Sequence, residues 1–286
     1  MTPGRANLDV LRGRLREHGP VVVAYSGGAD SAFLAVVAHQ ALRDRMVAVT
    51  AVSPSLAAAE RADAAAFAEE HGFRHVEVET DEMERAAYRA NDAMRCAHCK
   101  DALMDAIAPI ADELGAAVAL GVNLDDLGDF RPGQHAAAER GAVFPLVEAG
   151  FTKSDVRAAS RKLGLRTWDK PAAPCLASRV PYGTAVTVDL LSKVERAEAA
   201  VRALGFRDLR VRHGDDGTAR LEVPLDDLPR VVEQRVAIVT AVQRAGYSRV
   251  TLDLEGLRSG NLNSDLSPPN QRFDGEPGGA AAERRH

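Results

Sequence analysis

Cysteine, aromatic rings and long apolar runs are all scarce in this chain, and each scarcity closes off a class of protein. Cys96, Cys99 and Cys175 are the only cysteines in 286 residues. An odd number without an export signal argues against a disulfide framework. The apolar stretches fall well short of a membrane span. The first residues, MTPGRANLDVLRGRLREHG, lack the apolar centre of a signal peptide and read as an amphipathic helix, so a cytoplasmic protein is expected. A basic excess is also missing: 36 Lys and Arg stand against 41 Asp and Glu. The resulting net charge of −5 argues against a broad surface for long nucleic acid, though not against a local patch. The single tryptophan, Trp168, reads as a core residue. Apolar residues make up 46% of the chain, which suffices for one large or two small domains.

The first half alternates strand and helix patterns. Val21 to Tyr25 is an apolar run ending in glycines, followed by helical character from Ser31 to Arg43. MVAVTAVS (46–53) is a second strand and LAAAERADAAAFAEEHG (56–72) a helix stopped by glycine. FRHVEVE (73–79) reads as a third strand, CAHCKDALMDAIAPIADELG lies in a long helical stretch, and AAVALGVN (116–123) is a fourth strand. This rhythm predicts an α/β fold, a doubly wound parallel sheet with helices on both faces. Ligands then bind beyond the carboxyl ends of the strands. From about residue 180 the order becomes α-β-β-α-β, with a hairpin around Asp215-Asp216-Gly217, which predicts a smaller α+β domain. The expected division is 1–179, 180–263, and a disordered Pro- and Gly-rich tail over 264–286.

The first strand runs into Ser-Gly-Gly-Ala-Asp-Ser, residues 26–31, and then a helix. Gly27 and Gly28 permit close approach of a phosphate to backbone N–H groups, and the helix start adds unpaired donors. Ser26 and Ser31 add hydroxyls, and Asp30 can hold Mg²⁺ on the phosphates. Neither G-x-G-x-x-G nor a G-K-[ST] ending is present. A capped strand-to-helix turn is the plain alternative. The string resembles the PP-loop of the ATP pyrophosphatases, with the adenine nucleotide α-hydrolase-like fold. That resemblance implies cleavage of ATP between its α- and β-phosphates, with Thr50 to Ser53 near the adenosine.

RCAHCK (95–100) and KPAAPCLASRVPYGT (170–184) hold the cysteines. A C-x-x-C pair can grip a metal, form a redox disulfide or be incidental. Three thiols suit a [4Fe–4S] cluster with one open iron. Cys175 can equally be a small buried apolar residue. Cys99 and Cys175 are both expected in loops after sheet elements, facing the nucleotide end.

Together with NLDDLGDFRPG (123–133) and TLDLEGLRSGNLN (251–263), these strings resemble the LarE family of ATP-dependent sulfur transferases over nearly all of residues 8 to 263. Leu257 stands where that pattern has tyrosine. The resemblance implies adenylation of the carboxylates of a pyridinium biscarboxylic acid mononucleotide, ATP and Mg²⁺ as requirements, and replacement of oxygen by sulfur for a nickel-pincer cofactor. It implies Cys175 as the sulfur nucleophile, either sacrificed to dehydroalanine or holding a sulfide-bearing [4Fe–4S] cluster with Cys96 and Cys99. Arg179, Arg212, Arg258 and Glu222 become candidate substrate contacts, with Arg179 also the cation beside the thiol. Ser26, Gly27, Gly28, Asp30, Ser31 and Ser53 become the ATP site. Asp125, Asp126 and Asp129 either form turns or position the nucleotide. A homo-oligomer and a hand-off to a nickel-inserting protein also follow. The rival readings are another PP-loop enzyme (a tRNA thiolase or an ammonia-using synthetase) and a non-catalytic nucleotide or iron–sulfur sensor.

Overall fold

The computed structural model describes residues 6–128 and 132–258. Asp129, residues 259–263 and the stretch 264–286 lie outside the described residues. Asn7 starts the first helix by accepting the Asp9 N–H on its side chain at 2.8 Å. In chain order come α1 (Leu8–His18), β1 (Val21–Ala24), α2 (Ala29–Leu42), β2 (Met46–Val52), α3 (Ala58–His71), β3 (His75–Glu79), α4 (Ala86–Arg89), α5 (Arg95–Leu114), β4 (Ala117–Leu120), α6 (Pro132–Glu139), α7 (Pro145–Glu148) and α8 (Lys153–Lys162). Thr152 and Asp155 form a reciprocal capping box on α8.

The four strands lie in the order β3-β2-β1-β4, all parallel. Alternation along each strand decides which layer it feeds. Val21, Val23, Met46, Ala48 and Ala119 join one core with α1, α2, α3 and α8. Val22, Val47, Val49, Val118 and Leu120 turn to the opposite core, against Leu103, Met104 and Ile107 of α5. Helices therefore cover both faces, as the pattern predicts. Since β2 and β3 continue to one side of β1 and β4 lies on the other, the order reverses between β1 and β4. In open α/β sheets such a reversal is where ligands bind, at the carboxyl ends of the strands.

The later elements are α9 (Val188–Ala203), β5 (Arg210–His213), β6 (Ala219–Glu222), α10 (Leu228–Glu233), α11 (Arg235–Arg244) and β7 (Val250–Leu252). β5 and β6 form the expected antiparallel hairpin, and β7 adds in parallel to β6. This sheet has its own core, built on Val201, Phe206, Val211, Leu221 and Val242. A further cluster joins the two sheets' surroundings: Tyr88 of α4, Leu176, Ala177 and Val180, and Leu191 and Val194 of α9. Cys99 and Cys175 border it.

Two expectations change. Cys99 does not lie in a loop but, with Cys96, in the first turns of α5, within the long helical stretch that the pattern predicts; the apolar spacing that continues to Leu114 already begins at Ala97, which is buried. Trp168 is half-buried rather than core, with the Arg161 guanidinium 5.0 Å from its ring. No helix among the described residues is long and apolar enough to cross a membrane.

Candidate active site

Between β1 and α2 the backbone makes the expected turn. Gly27 has φ of +69°, and a Cβ there would lie 2.8 Å from the Ala64 Cβ. Gly27 is thus required by the fold itself. Gly28 is different: its φ is −75° and ψ 164°, and a Cβ would meet only the Ser26 Oγ at 3.5 Å. No protein atom demands glycine there. The turn is braced from within by Ser31, whose hydroxyl donates to the Gly28 carbonyl at 3.2 Å. It accepts from the Ser26 N–H at 3.2 Å and stands 3.1 Å from the Ser26 hydroxyl.

Asp30, in the first turn of α2, pairs through Oδ2 with the Lys153 ammonium at the start of α8. Its Oδ1 is buried without a partner among the described residues. That acceptor suits Mg²⁺, a hard cation that takes oxygen ligands and retains waters. Asp125 accepts the Lys153 backbone N–H at 2.8 Å, and Asp126 accepts the Asn123 N–H at 3.1 Å. Asp126 therefore braces the turn after β4, and Asp125 ties that turn to the start of α8. Ser53, beyond β2, caps its own turn by accepting the Ser55 N–H at 3.1 Å.

The Cys175 segment is held along this same edge. Lys170 Nζ reaches the Gly27 carbonyl at 3.1 Å, and the Leu176 N–H donates to the Ser55 carbonyl at 2.8 Å. Cys175 follows Lys170 by five residues and is half-buried. Three arginines grip the backbone carbonyls around it. Arg179 donates to Pro174 at 2.6 Å and Cys175 at 3.3 Å. Arg95 donates to Ala177 at 2.8 Å, and Arg212 to Ser178 at 2.7 Å.

The charges of these arginines are distributed unevenly. Arg179 is paired with the fully buried Glu198 at 2.8 Å, and Arg212 with the fully buried Glu222 at 3.0 Å. Arg258 pairs with Glu255, and its carbonyl accepts from Arg210 at 2.9 Å. Arg179, Arg212 and Glu222, expected as substrate contacts, thus stitch the Cys175 segment to the second sheet. Arg95 has no carboxylate partner in the described contacts and is buried. Burial works against its charge, but negative charge on Cys175 and Cys96 outweighs this and raises the guanidinium above its ordinary value. Arg95 therefore joins Arg179 as a cation beside the Cys175 segment.

Cys96 is exposed and Cys99 half-buried, and Cys99 lies in the electrostatic field of both Cys175 and Cys96. Burial, then Cys175 and Glu82, push the Cys99 thiol up to about 12. Among the described residues no three of His, Cys, Asp and Glu gather closely enough to hold a metal. The three cysteines therefore share a neighbourhood without presenting the ligand set of a cluster. At pH 8 a thiol with that value is ionised to only about one part in ten thousand. We expect iodoacetamide to modify Cys96 on the order of a hundredfold faster than Cys99. Peptide mass mapping over a time course checks this, and equal rates would contradict it.

Three of these contributors, Arg95, Lys170 and Lys153, are not among the expected site residues. Arg95 and Lys170 flank the two cysteine strings and so stand inside quoted motifs. Lys153 carries only the weak signal of a lysine opening a helix.

The NAD synthase family model matches residues 5–106. The chain is 45% identical to an uncharacterized Synechocystis protein, over 92% of this chain and 98% of that one. It is 36% identical to the pyridinium-3,5-bisthiocarboxylic acid mononucleotide synthase of Lactiplantibacillus plantarum, over 88% of this chain and 92% of that enzyme. An uncharacterized Methanocaldococcus jannaschii protein is 23% identical, over 87% and 96% respectively.

Proposed function

Since the chain belongs to the LarE family, that of the pyridinium-3,5-bisthiocarboxylic acid mononucleotide synthase, we propose that it is an ATP-dependent sulfur transferase acting on a pyridinium biscarboxylic acid mononucleotide. A carboxylate is a poor acyl donor because its oxygen leaves badly. Adenylation by ATP makes that oxygen leave as AMP, with release of pyrophosphate. Gly27, Gly28 and the α2 N-terminus hold the pyrophosphate half, and Lys153 lies beside it. Asp30 would hold Mg²⁺, which neutralises charge on the phosphates.

Cys175 then attacks the acyl-adenylate as thiolate, facing Arg95, and displaces AMP to form a thioester. Loss of the Cys175 Cα proton and cleavage of its Cβ–S bond leave the electron pair on sulfur. The products are a thiocarboxylate and a dehydroalanine in the chain. Two carboxylates consume two chains. The observation that carries this reading is the path of residues 170–176, tied to Gly27 beyond β1 and to Ser55 beyond β2. That path supports a Cys175 sulfur within reach of a nucleotide bound at the turn.

The reading extends to a cytoplasmic homo-oligomer that passes its product to a nickel-inserting protein. The test is incubation of the full chain with ATP, Mg²⁺ and the biscarboxylate. AMP, pyrophosphate and a sulfurated product are expected by mass spectrometry, together with loss of one H₂S from Cys175. AMP formation without sulfur transfer, or no reaction, overturns the proposal.

A further inference from the structure

The phosphate turn has two sides, and protein atoms crowd only one. On the outer side the Gly27 Cα faces Ala64 of α3, and the Tyr25 hydroxyl donates to the Ala64 carbonyl at 3.0 Å. Lys170 completes that side. Its ammonium, on a side chain 15% exposed, donates to the Gly27 carbonyl at 3.1 Å, to Asp63 at 2.7 Å and to Glu60 at 2.9 Å. Those three bonds use all three protons. On the inner side, the space at Gly28 is open apart from the Ser26 hydroxyl.

Two successive glycines leave the tilt of the peptide between them undecided by sterics, because either residue tolerates several backbone conformations. Something outside the pair has to choose. A trans peptide is planar, so its carbonyl and its N–H point in opposite directions. Drawing the Gly27 carbonyl outward to Lys170 turns the Gly28 N–H to the opposite side of the peptide.

We propose that Lys170 is a positioning residue for the pyrophosphate half of ATP: it fixes the Gly27–Gly28 peptide so that the Gly28 N–H faces the phosphates. This rests on the reading above that the turn holds ATP. Lys170 touches no phosphate itself, since its donors are occupied. It acts through the peptide it holds, and it is held in turn. Burial works against its charge, but the bonds to Asp63 and Glu60 outweigh this and keep the ammonium charged. Arg166 pairs with Asp63 on the far side and with Glu70 at 2.9 Å, which anchors the acid that anchors the lysine.

The experiment measures pyrophosphate and AMP binding by calorimetry on the full chain, for wild type, Lys170→Met and Lys170→Arg. A donor misaligned toward a charged group weakens binding about tenfold or more. Lys170→Met should therefore lose pyrophosphate affinity by about that factor and keep AMP affinity within about twofold, because AMP lacks the phosphates that the Gly28 N–H meets. A merely structural role would weaken both ligands together. Lys170→Arg retains donors for the carbonyl and both acids and should stay within about threefold of wild type for pyrophosphate. Lys170→Gln replaces methionine if the apolar side chain prevents folding. Unchanged pyrophosphate affinity in Lys170→Met, parallel loss of AMP, or equal loss in the arginine variant overturns the inference. A wild-type chain that binds no pyrophosphate overturns the ATP reading and this inference with it.

Discussion

Cys175→Ser yields no sulfurated product and still converts ATP to pyrophosphate and enzyme-bound acyl-adenylate. Serine keeps the size of the residue and the backbone grip of Arg95, Arg179 and Arg212, but it has no sulfur to give. The groups proposed for adenylation sit elsewhere, in the Ser26–Ser31 turn and at Lys153, so the first-turnover release of pyrophosphate should remain within about tenfold of wild type. Product mass spectrometry alongside a pyrophosphate assay reads both halves at once. Sulfurated product from the serine variant would sink the cysteine-donor reading. The paired variant Cys96→Ser/Cys99→Ser should retain one sulfur per chain, since neither thiol lies on the proposed route. Loss of transfer in that variant would instead make all three sulfurs necessary.

Gly28→Ala should leave the protein folded and nearly inactive. Its φ of −75° is open to alanine, and the added methyl touches only a serine hydroxyl at ordinary contact distance. A lost helix cap and a stiffer unfolded chain act in opposite directions, so the melting temperature should move by less than about 3 °C. The methyl would nevertheless occupy the space proposed for the pyrophosphate. Displacing a group that relies on such a donor costs roughly 10²–10³ in rate. Gly27→Ala provides the contrast, since its positive φ and the 2.8 Å approach to Ala64 should destabilise the fold by about 1–3 kcal/mol. Measured by calorimetric melting and by initial pyrophosphate release, the two glycines should fail in opposite ways. An active, stable Gly28→Ala would mean that nothing needs the open space.

The sequence made the sheet legible because its signals are local. Alternation sorts Val21, Val22 and Val23 to their faces, and a glycine pair after an apolar run marks a strand's carboxyl end. Partnership across the chain was not legible. Lys153 meets Asp30 over 123 positions and Lys170 meets Gly27 over 143, and no periodicity reports such separations. The arginines show the same limit in reverse. Arg179 and Arg212 stand in strings that suggest an anionic ligand, but their guanidiniums meet Glu198, Glu222 and backbone oxygen. A residue's charge can be read from one letter. Its counter-charge lies wherever the fold brings it. Cys99 stands in the first turns of α5 and not in a loop, because the apolar spacing of that helix already runs through the C-x-x-C pair.

The grip on carbonyls 174, 175, 177 and 178 has an effect that outlasts the chemistry. If Cys175 is sacrificed as proposed, its conversion to a flat, unsaturated residue would change the bonding of its Cα and Cβ, whereas the guanidiniums hold backbone oxygens that the change leaves in place. An exhausted molecule would thus keep the outline of a fresh one and go on capturing nucleotide it can no longer modify. Productive flux would then depend on how fast the cell clears used copies as well as on how fast it makes new ones.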